Sequence, residues 1–269
     1  MVVMQNAAQK AAKRLLRDFA EVEQLQVSIK GPSDFVSQAD IRAEQTLKEE
    51  LNKARPGYAF LMEESGASGS ENWSWRWVVD PLDGTTNFLH GMPHWAISIG
   101  LERRLPDGGS ELAAGMVYAP TVDEMFWAEK GIGAFVNERR LRVSARRDLA
   151  SAVFATGIPF GAVSAARRQA FSRTLTVLMP QVAGIRRFGS AALDLAWVAA
   201  GRFDGYWELG IKPWDIAAGM LLVREAGGYA TGAHDGDPRD TSEMVAGNPH
   251  LHPKLRDVVL EGMGAAPRS

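Results

Sequence analysis

The sequence has no cysteine in 269 residues. Disulfides, thiolate metal ligands and a cysteine nucleophile are therefore excluded, and the chain fits a reducing compartment. Histidine is nearly as scarce: His90, His94, His234, His250 and His252 show no zinc-like spacing. Neither charge is in excess, with 30 Lys and Arg against 32 Asp and Glu and a formal net charge of -2. That balance argues against a generally nucleic-acid-seeking surface, though not against a local basic patch. No stretch approaches the roughly 18 apolar residues of a membrane span, and Met1-Val2-Val3-Met4-Gln5-Asn6 lacks the basic-then-apolar order of a leader. A cytoplasmic location is the expectation. No internal repeat or long low-complexity linker interrupts the chain, and 46% hydrophobic residues suffice for a substantial core.

Against this background one stretch stands out: Trp77-Val78-Val79-Asp80-Pro81-Leu82-Asp83-Gly84-Thr85-Thr86-Asn87-Phe88. Val78 and Val79 carry Asp80 to the end of a predicted strand, Pro81 cannot continue the hydrogen-bonded ladder, and Asp83-Gly84-Thr85-Thr86 reads as a turn into a helix. Two carboxylates thus emerge three residues apart at a strand-to-helix corner. Their oxygens suit a hard cation, and the N–H groups from Gly84 onward, at a positive helix end, suit an oxyanion. Taken alone, the stretch reads equally well as a turn at Asp80-Pro81 and a helix N-cap at Asp83.

The flanking chain supplies candidate scaffolding. Ala8, Ala11, Ala12, Leu15, Leu16 and Phe19 recur at helical spacing. Lys30-Gly31-Pro32-Ser33 reads as a turn, and Asp34 to Asp40 leads into a second helix with Ala43, Leu47 and Leu51 inward and a Glu44–Lys48 pair outside. Asp40, read alone, is a solvated first-turn carboxylate. Tyr58 to Met62 predicts a buried strand ending at Glu63-Glu64, of which only one can face a given site; Glu63 is the choice. Alternation at Trp95, Ile97, Ile99, Leu101 and again at Leu112, Ala114, Met116, Tyr118, around the turn Pro106-Asp107-Gly108-Gly109, predicts an antiparallel meander. Arg139, Arg140, Arg142, Arg146 and Arg147 form a basic cluster that reads as a solvated hairpin face. Strands are then predicted at Ser151–Thr156, Gly184–Phe188 and Gly205–Glu208, and helices at Ala165–Met179, after Gly189-Ser190-Ala191, and from Pro213 to about Ala226. Asp215 falls in the first turn of the last helix, where it either complements the dipole or completes a metal site. His234, His250 and His252 lie in polar, turn-rich surroundings, and Gly264 to Ser269 is expected to fray.

Glu63, Asp80, Asp83 and Asp215, with Asp40 in support, make an all-oxygen set of the kind Mg2+ prefers, with waters and substrate phosphate filling the remaining positions. Two or three ions are expected. Such ions stabilise phosphate charge and acidify a water for direct attack on phosphorus, without a covalent enzyme intermediate.

Asp80-Pro81-Leu82-Asp83-Gly84-Thr85, together with Trp214-Asp215-Ile216-Ala217-Ala218-Gly219, resembles the paired signatures of the inositol monophosphatase family, in its bacterial, extragenic suppressor type. The likeness extends in order through Asp34-Phe35-Val36-Ser37-Gln38-Ala39-Asp40, Glu63-Glu64-Ser65, Gly189-Ser190-Ala191-Ala192 and Glu208, nearly the whole chain. It implies Mg2+-dependent, lithium-sensitive hydrolysis of phosphomonoesters, foremost myo-inositol 1-phosphate. The implied fold is an α/β layered sandwich (α/β/α/β/α, also classed α+β), sugar phosphatase-like, with mixed and antiparallel sheets, and the protein would be a homodimer. A single domain of residues 1–269 is expected, with closely packed halves at about 1–147 and 148–269.

Carried over by residue, the resemblance implies that Glu63, Asp80 and the Leu82 carbonyl hold a first ion. Asp80, Asp83 and Asp215 would hold a second, and Glu63 with waters a third. Asp40 would hydrogen-bond Thr85, and this pair with Glu63 would orient and deprotonate the attacking water. The Gly84 and Thr85 amides would receive phosphate. Gly189, Ser190, Ala191 and Glu208 match positions that hold the hydroxyls of the alcohol, with Arg186 a neighbour. Ser37 stands where threonine is commoner, and Gly157 to Val163 does not align clearly, which leaves substrate choice open.

The alternatives within enzymes are phosphatases of histidinol phosphate, fructose 1,6-bisphosphate or a 3',5'-bisphosphate nucleotide. A bisphosphate needs additional cations, and only Lys212 and Arg186 offer themselves near the alcohol pocket, which favours a monophosphate. The alternative from another class is a regulatory partner of the transcription and ribosomal RNA machinery, docking through Arg139 to Arg147.

Overall fold

A computed structural model describes residues 1–22, 27–31, 34–161, 163–234 and 236–264, with the backbone path alone for 27–31 and 34–37. Pro32 and Ser33 of the expected turn, the Ser37 side chain, Ala162 and the tail beyond Gly264 lie outside these described features.

The first helix, α1 (Val2–Ala20), buries Met4, Ala7, Ala8, Ala11, Ala12 and Leu15 along one stripe. Leu16, which the helical pattern also put inward, is exposed, because it lies one position past that stripe. Strands β1 (Val27–Gly31) and β2 (Asp34–Ser37) pair antiparallel and feed α2 (Gln38–Ala54), which packs on α1 and is pinned to it by an Arg42–Asp18 bond of 2.9 Å. The chain then builds β3 (Ala59–Met62), β4 (Gly66–Ser68) and β5 (Trp75–Asp83), turns through α3 (Thr85–Leu89), and continues as β6 (Ala96–Arg104), β7 (Ser110–Ala119), β8 (Glu124–Glu129), β9 (Gly133–Val136) and β10 (Arg139–Arg140). These strands form one sheet in the order β10-β9-β8-β7-β6-β5-β3-β4. From β5 to β10 it is the antiparallel meander that the alternating pattern predicts; β3 alone joins it parallel, against β5.

The remainder runs β11 (Val153–Thr156), α4 (Ala165–Leu178), β12 (Gly184–Arg186), α5 (Ala191–Ala199), β13 (Gly205–Leu209), α6 (Pro213–Glu225), β14 (Tyr229–Thr231), α7 (Pro238–Thr241), β15 (Glu243–Gly247) and α8 (His252–Met263). Its five-stranded sheet has the order β12-β11-β13-β15-β14, parallel across the first three strands and antiparallel at β15. Helices α1 and α2 cover the outer face of the large sheet, α5 and α6 fill the space between the two sheets, and α4 with α8 closes the far face. The result is an α/β/α/β/α sandwich. Leu195, Ala196, Ile216, Ala217, Ala218 and Leu222 are wholly buried in its middle layer, which is why α5 and α6 are apolar apart from Asp194, Asp215 and the charged last turn of α6. No described helix is long and apolar enough to cross a membrane.

Buried polar ties join the connecting segments to the sheets. Buried Asp204 accepts from Ser144 Oγ, from Arg146 Nη1 at 3.2 Å and from the Val153 amide at 2.8 Å, while Asn248 Nδ2 donates to the Arg146 carbonyl at 3.0 Å. The basic cluster is exposed, as expected, but its Arg146 thus anchors the connector between the sheets. Glu102, 1% exposed on β6, receives Arg76 and Arg239, and Arg239 also clamps Asp237 at the start of α7. Two expectations fail here. Glu44 is buried and accepts the Glu64 amide at 2.9 Å, while Lys48 lies over the Phe60 ring, so no outward Glu44–Lys48 pair exists. His252 is buried in the first turn of α8, its Nε2 3.0 Å from Thr231 Oγ1, and burial together with nearby Arg256 lowers its pKa to about 4.

Two outcomes follow. Arg239→Met, by leaving Glu102 with one partner in a dry site, lowers the unfolding free energy by about 3 kcal/mol, read from urea denaturation. Because neutral His252 must charge on unfolding, its contribution to stability is full above about pH 6.5 and is lost as pH falls toward 4. The difference in stability between wild type and His252→Gln should therefore shrink over that window, and a pH-independent difference would refute the assignment.

Candidate active site

The corner at the end of β5 is made by a local defect in the sheet. Pairing of β5 with β6 runs regularly to Asp80↔Ser98, breaks across Pro81, which has no N–H to give, and resumes at Asp83↔Ala96. The strand therefore does not stop at Asp80. Asp80 Oδ1 folds back to accept the Leu82 amide at 2.9 Å. Gly84 then starts α3 with φ of 97°, and a Cβ there would lie 2.9 Å from the His94 carbonyl oxygen, so only glycine fits. Asn87 locks the corner, donating to the carbonyls of His94 and Phe188 at 2.7 Å each.

Asp83 is not the N-cap of its own helix. Its Oδ2 crosses to α5, where it accepts Ser190 Oγ at 2.6 Å and the Ala192 amide at 2.7 Å. Asp215, in the first turn of α6, accepts the Lys212 amide at 3.0 Å. Asp83, Asp215, Asp80 and Glu63 line one cavity of about 210 Å3 with Gly84 and Thr85. Its other wall carries Gly189, Ser190, Ala191, Glu208, Asp194 and Arg187. Pockets for drug-sized ligands run to roughly 300 Å3 and more, so this volume suits a small, compact molecule.

The carboxylates repel one another. Burial raises the pKa of Asp80 well above its usual range, and the charges of Glu63, Asp83 and Asp215 add to it. Asp215 is raised likewise by burial, then by Asp83 and Glu63. Asp83 is raised less, because Ser190 and Ala192 donate to its charged form. Glu208 is pushed up to about 7 by burial, against a hydrogen bond from Tyr206 Oη. Among the described residues no three such side chains already surround one point in ligating geometry.

The other expected residues are placed as follows. Thr85 Oγ1 donates to the Leu82 carbonyl at 3.0 Å, with Asp40 Oδ1 at 3.5 Å. Asp40 is 1% exposed, not solvated, and stands behind Thr85, outside the cavity lining. Glu63 faces the cavity while Glu64 does not. Arg186, expected beside the alcohol, is exposed on edge strand β12, with its guanidinium turned to the Ile185 carbonyl; Arg187 reaches the cavity instead. Asn87 and Asp194 were given no role by the sequence reading. Asn87 lay inside the central stretch, and Asp194 could have been found as a carboxylate one turn into an otherwise apolar helix.

A model of the inositol monophosphatase family matches residues 1–262. The chain belongs to that family. It is 52% identical over 258 residues to the inositol-1-monophosphatase of Rhizobium meliloti, covering 96% of this chain and 94% of that one. It is 41% identical to the Nus factor SuhB of Pseudomonas aeruginosa, covering 93% and 96%. The crystal structure of the extragenic suppressor protein SuhB from Bartonella henselae superposes with a TM-score of 0.90 at 51% identity, covering 97% of this chain and 98% of that one. Membership of the inositol monophosphatase family makes the protein a phosphomonoesterase.

Ser190 serves this family member twice, as donor to Asp83 and as N-cap acceptor of the Leu193 amide. Ser190→Ala should cost about 2 kcal/mol in thermal or urea unfolding of the metal-free protein. An unchanged midpoint would mean that the cross-link between β5 and α5 carries no stability.

Proposed function

We propose that the protein hydrolyses phosphomonoesters with Mg2+ by direct attack of water on phosphorus, and that its substrate is myo-inositol 1-phosphate. The observation that carries this reading is the gathering of Glu63, Asp80, Asp83 and Asp215 on one small cavity beside Gly84 and Thr85. The residues fit a hard divalent cation: the donors are all oxygen, and the pKa values of Asp80 and Asp215 are raised by burial and then by the neighbouring carboxylates that share the cavity. Glu63, Asp80, Asp83 and Asp215, with the Leu82 carbonyl, would hold the ions, two or three per site. Bound there, Mg2+ would neutralise phosphate charge and lower the pKa of a water.

The chain's own groups have separate tasks in this reading. The Gly84 and Thr85 N–H groups receive phosphate oxygens at the positive end of α3. Thr85 Oγ1 and Glu63 orient the attacking water, whose proton passes to the carboxylate of Glu63, while Asp40 fixes the Thr85 hydroxyl from behind. A new P–O bond forms as the bond to the alcohol breaks, and the alcohol leaves with a proton from solvent. Gly189, Ser190, Ala191 and Glu208 face the alcohol half; Glu208, with a pKa of about 7 and Tyr206 donating to it, accepts or gives a hydroxyl hydrogen bond. Inositol is favoured over other alcohols by relatives that carry its name. The resemblance favours a homodimer, and the absence of a leader-like segment or membrane-length apolar run in the sequence favours the cytoplasm.

Relatives named Nus factor SuhB favour a second reading, a regulatory partner of transcription that docks through the exposed arginines from Arg139 to Arg147. The discriminating experiment is phosphate release from inositol 1-phosphate, histidinol phosphate and fructose 1,6-bisphosphate, with Mg2+, with EDTA and with lithium. Asp83→Asn and EDTA should each cut release at least ~100-fold. In parallel, Mg2+ at 100 times its Kd should stabilise the wild type by about 2.7 kcal/mol and the variant much less. Unchanged release by Asp83→Asn would sink the metal mechanism; no turnover of any ester would transfer the weight to the second reading.

A further inference from the structure

Arg187 lines the cavity, and the family resemblance leaves it without a task. Its guanidinium carbon sits 4.7 Å from the centre of the Phe160 ring, within the range of a cation–π contact. Its Nη1 lies 3.0 Å from where a Cβ would stand on Gly189, so the absence of a side chain there leaves the room it occupies. The backbone that presents it is tied down on the next residue. The Phe188 carbonyl accepts Asn87 Nδ2, and the Phe188 ring packs against His94, Trp197 and Phe203. Yet among the described residues no hydrogen bond or ion pair holds the guanidinium itself. It stands exposed at the cavity wall, fixed on one face by an aromatic ring, with its N–H edge unused. Its charge is felt by Asp194 and Glu208, which places it on the alcohol side of the site.

A planar guanidinium offers parallel N–H groups in a fixed fork. Two adjacent hydroxyls on a ring present two acceptor oxygens at matching spacing, whereas an ester with no hydroxyls presents none. We propose that Arg187 is a specificity residue that reads vicinal hydroxyls on the alcohol half of a polyol monophosphate, and that Phe160 is the positioning residue that holds it there. This rests on the phosphatase reading above and narrows its substrate class. It also gives the segment from Gly157 to Phe160 a part in selection, since Gly157 and Ile158 line the cavity from the same connecting segment.

The test compares inositol 1-phosphate with p-nitrophenyl phosphate, which shares the phosphate and lacks the hydroxyls, in wild type, R187A, R187K, F160L and F160Y. For inositol 1-phosphate, R187A should lose ~10- to 100-fold in kcat/KM, the worth of a hydrogen bond to a charged group, mostly through KM. For p-nitrophenyl phosphate it should change less than about 3-fold. R187K should recover little, because an ammonium keeps the charge but not the fork. F160L should raise KM for inositol 1-phosphate about 3-fold, and F160Y, which keeps the ring face, should restore it. Equal losses on both esters would overturn the proposal in favour of a phosphate contact, and an unchanged inositol 1-phosphate KM in R187A would remove Arg187 from recognition altogether. Failure of the wild type to hydrolyse either ester would overturn the phosphatase reading itself, so the two failures are distinguishable.

Discussion

The arrangement of the site depends on one carboxylate that bonds away from its own element. Asp83 ends a strand of the large sheet and accepts two hydrogen bonds from the first turn of α5, a helix packed between the sheets. A negative charge at a helix N-terminus is favoured, and here it also joins residues more than a hundred positions apart. The same donors explain an asymmetry among the acids. Asp80 and Asp215 have a single backbone donor each and their pKa values are raised well above the usual range, whereas Asp83, with a hydroxyl and an amide donating to it, is raised less.

Three helices begin at the cavity: α3 at Gly84, α5 at Ser190 and α6 at Lys212. Their positive ends converge on a space walled by carboxylates, and each set of dipoles offsets part of the cost of burying those acids. The rest of that cost is borne by the apolar middle layer, where α5 and α6 are buried from both sides. A site of this kind is unfavourable for folding taken by itself, and its persistence rests on the core behind it.

The parts of the fold and site that were legible in the sequence are those written in local chemistry. The meander followed from two-residue alternation, α6 from Pro213 with Asp215 in its first turn, and the corner at Gly84 from a proline and a glycine. What escaped was decided by distant partners. Glu44 looked like half of an exposed pair, but the amide of Glu64, twenty residues on, draws it inside. Asp40 looked solvated and is covered from the Thr85 side. Strands β14 and β15 and helix α8 are short or rich in polar residues, so their burial depends on the sheet they complete. Arg186 and Arg187 are indistinguishable to any rule of composition; β12 ends between them, and beyond its end strand alternation no longer says which side chain turns inward.

The geometry at residue 84 has a consequence for how this architecture can diversify. That corner admits no side chain at all, and its neighbours are bound to one another by backbone-directed bonds. The opposite wall is built otherwise: Ile158, Phe160 and Arg187 reach it from connecting segments, and the bonds that hold those segments are made by the neighbouring carbonyls of Gly157 and Phe188 rather than by the three side chains that face the cavity or its rim. Bond-breaking and choice of molecule are therefore housed on separate segments. Drift or directed evolution can rework the second while leaving the first intact, so one hydrolytic engine can be refitted to new cargoes by altering a handful of positions on a single side.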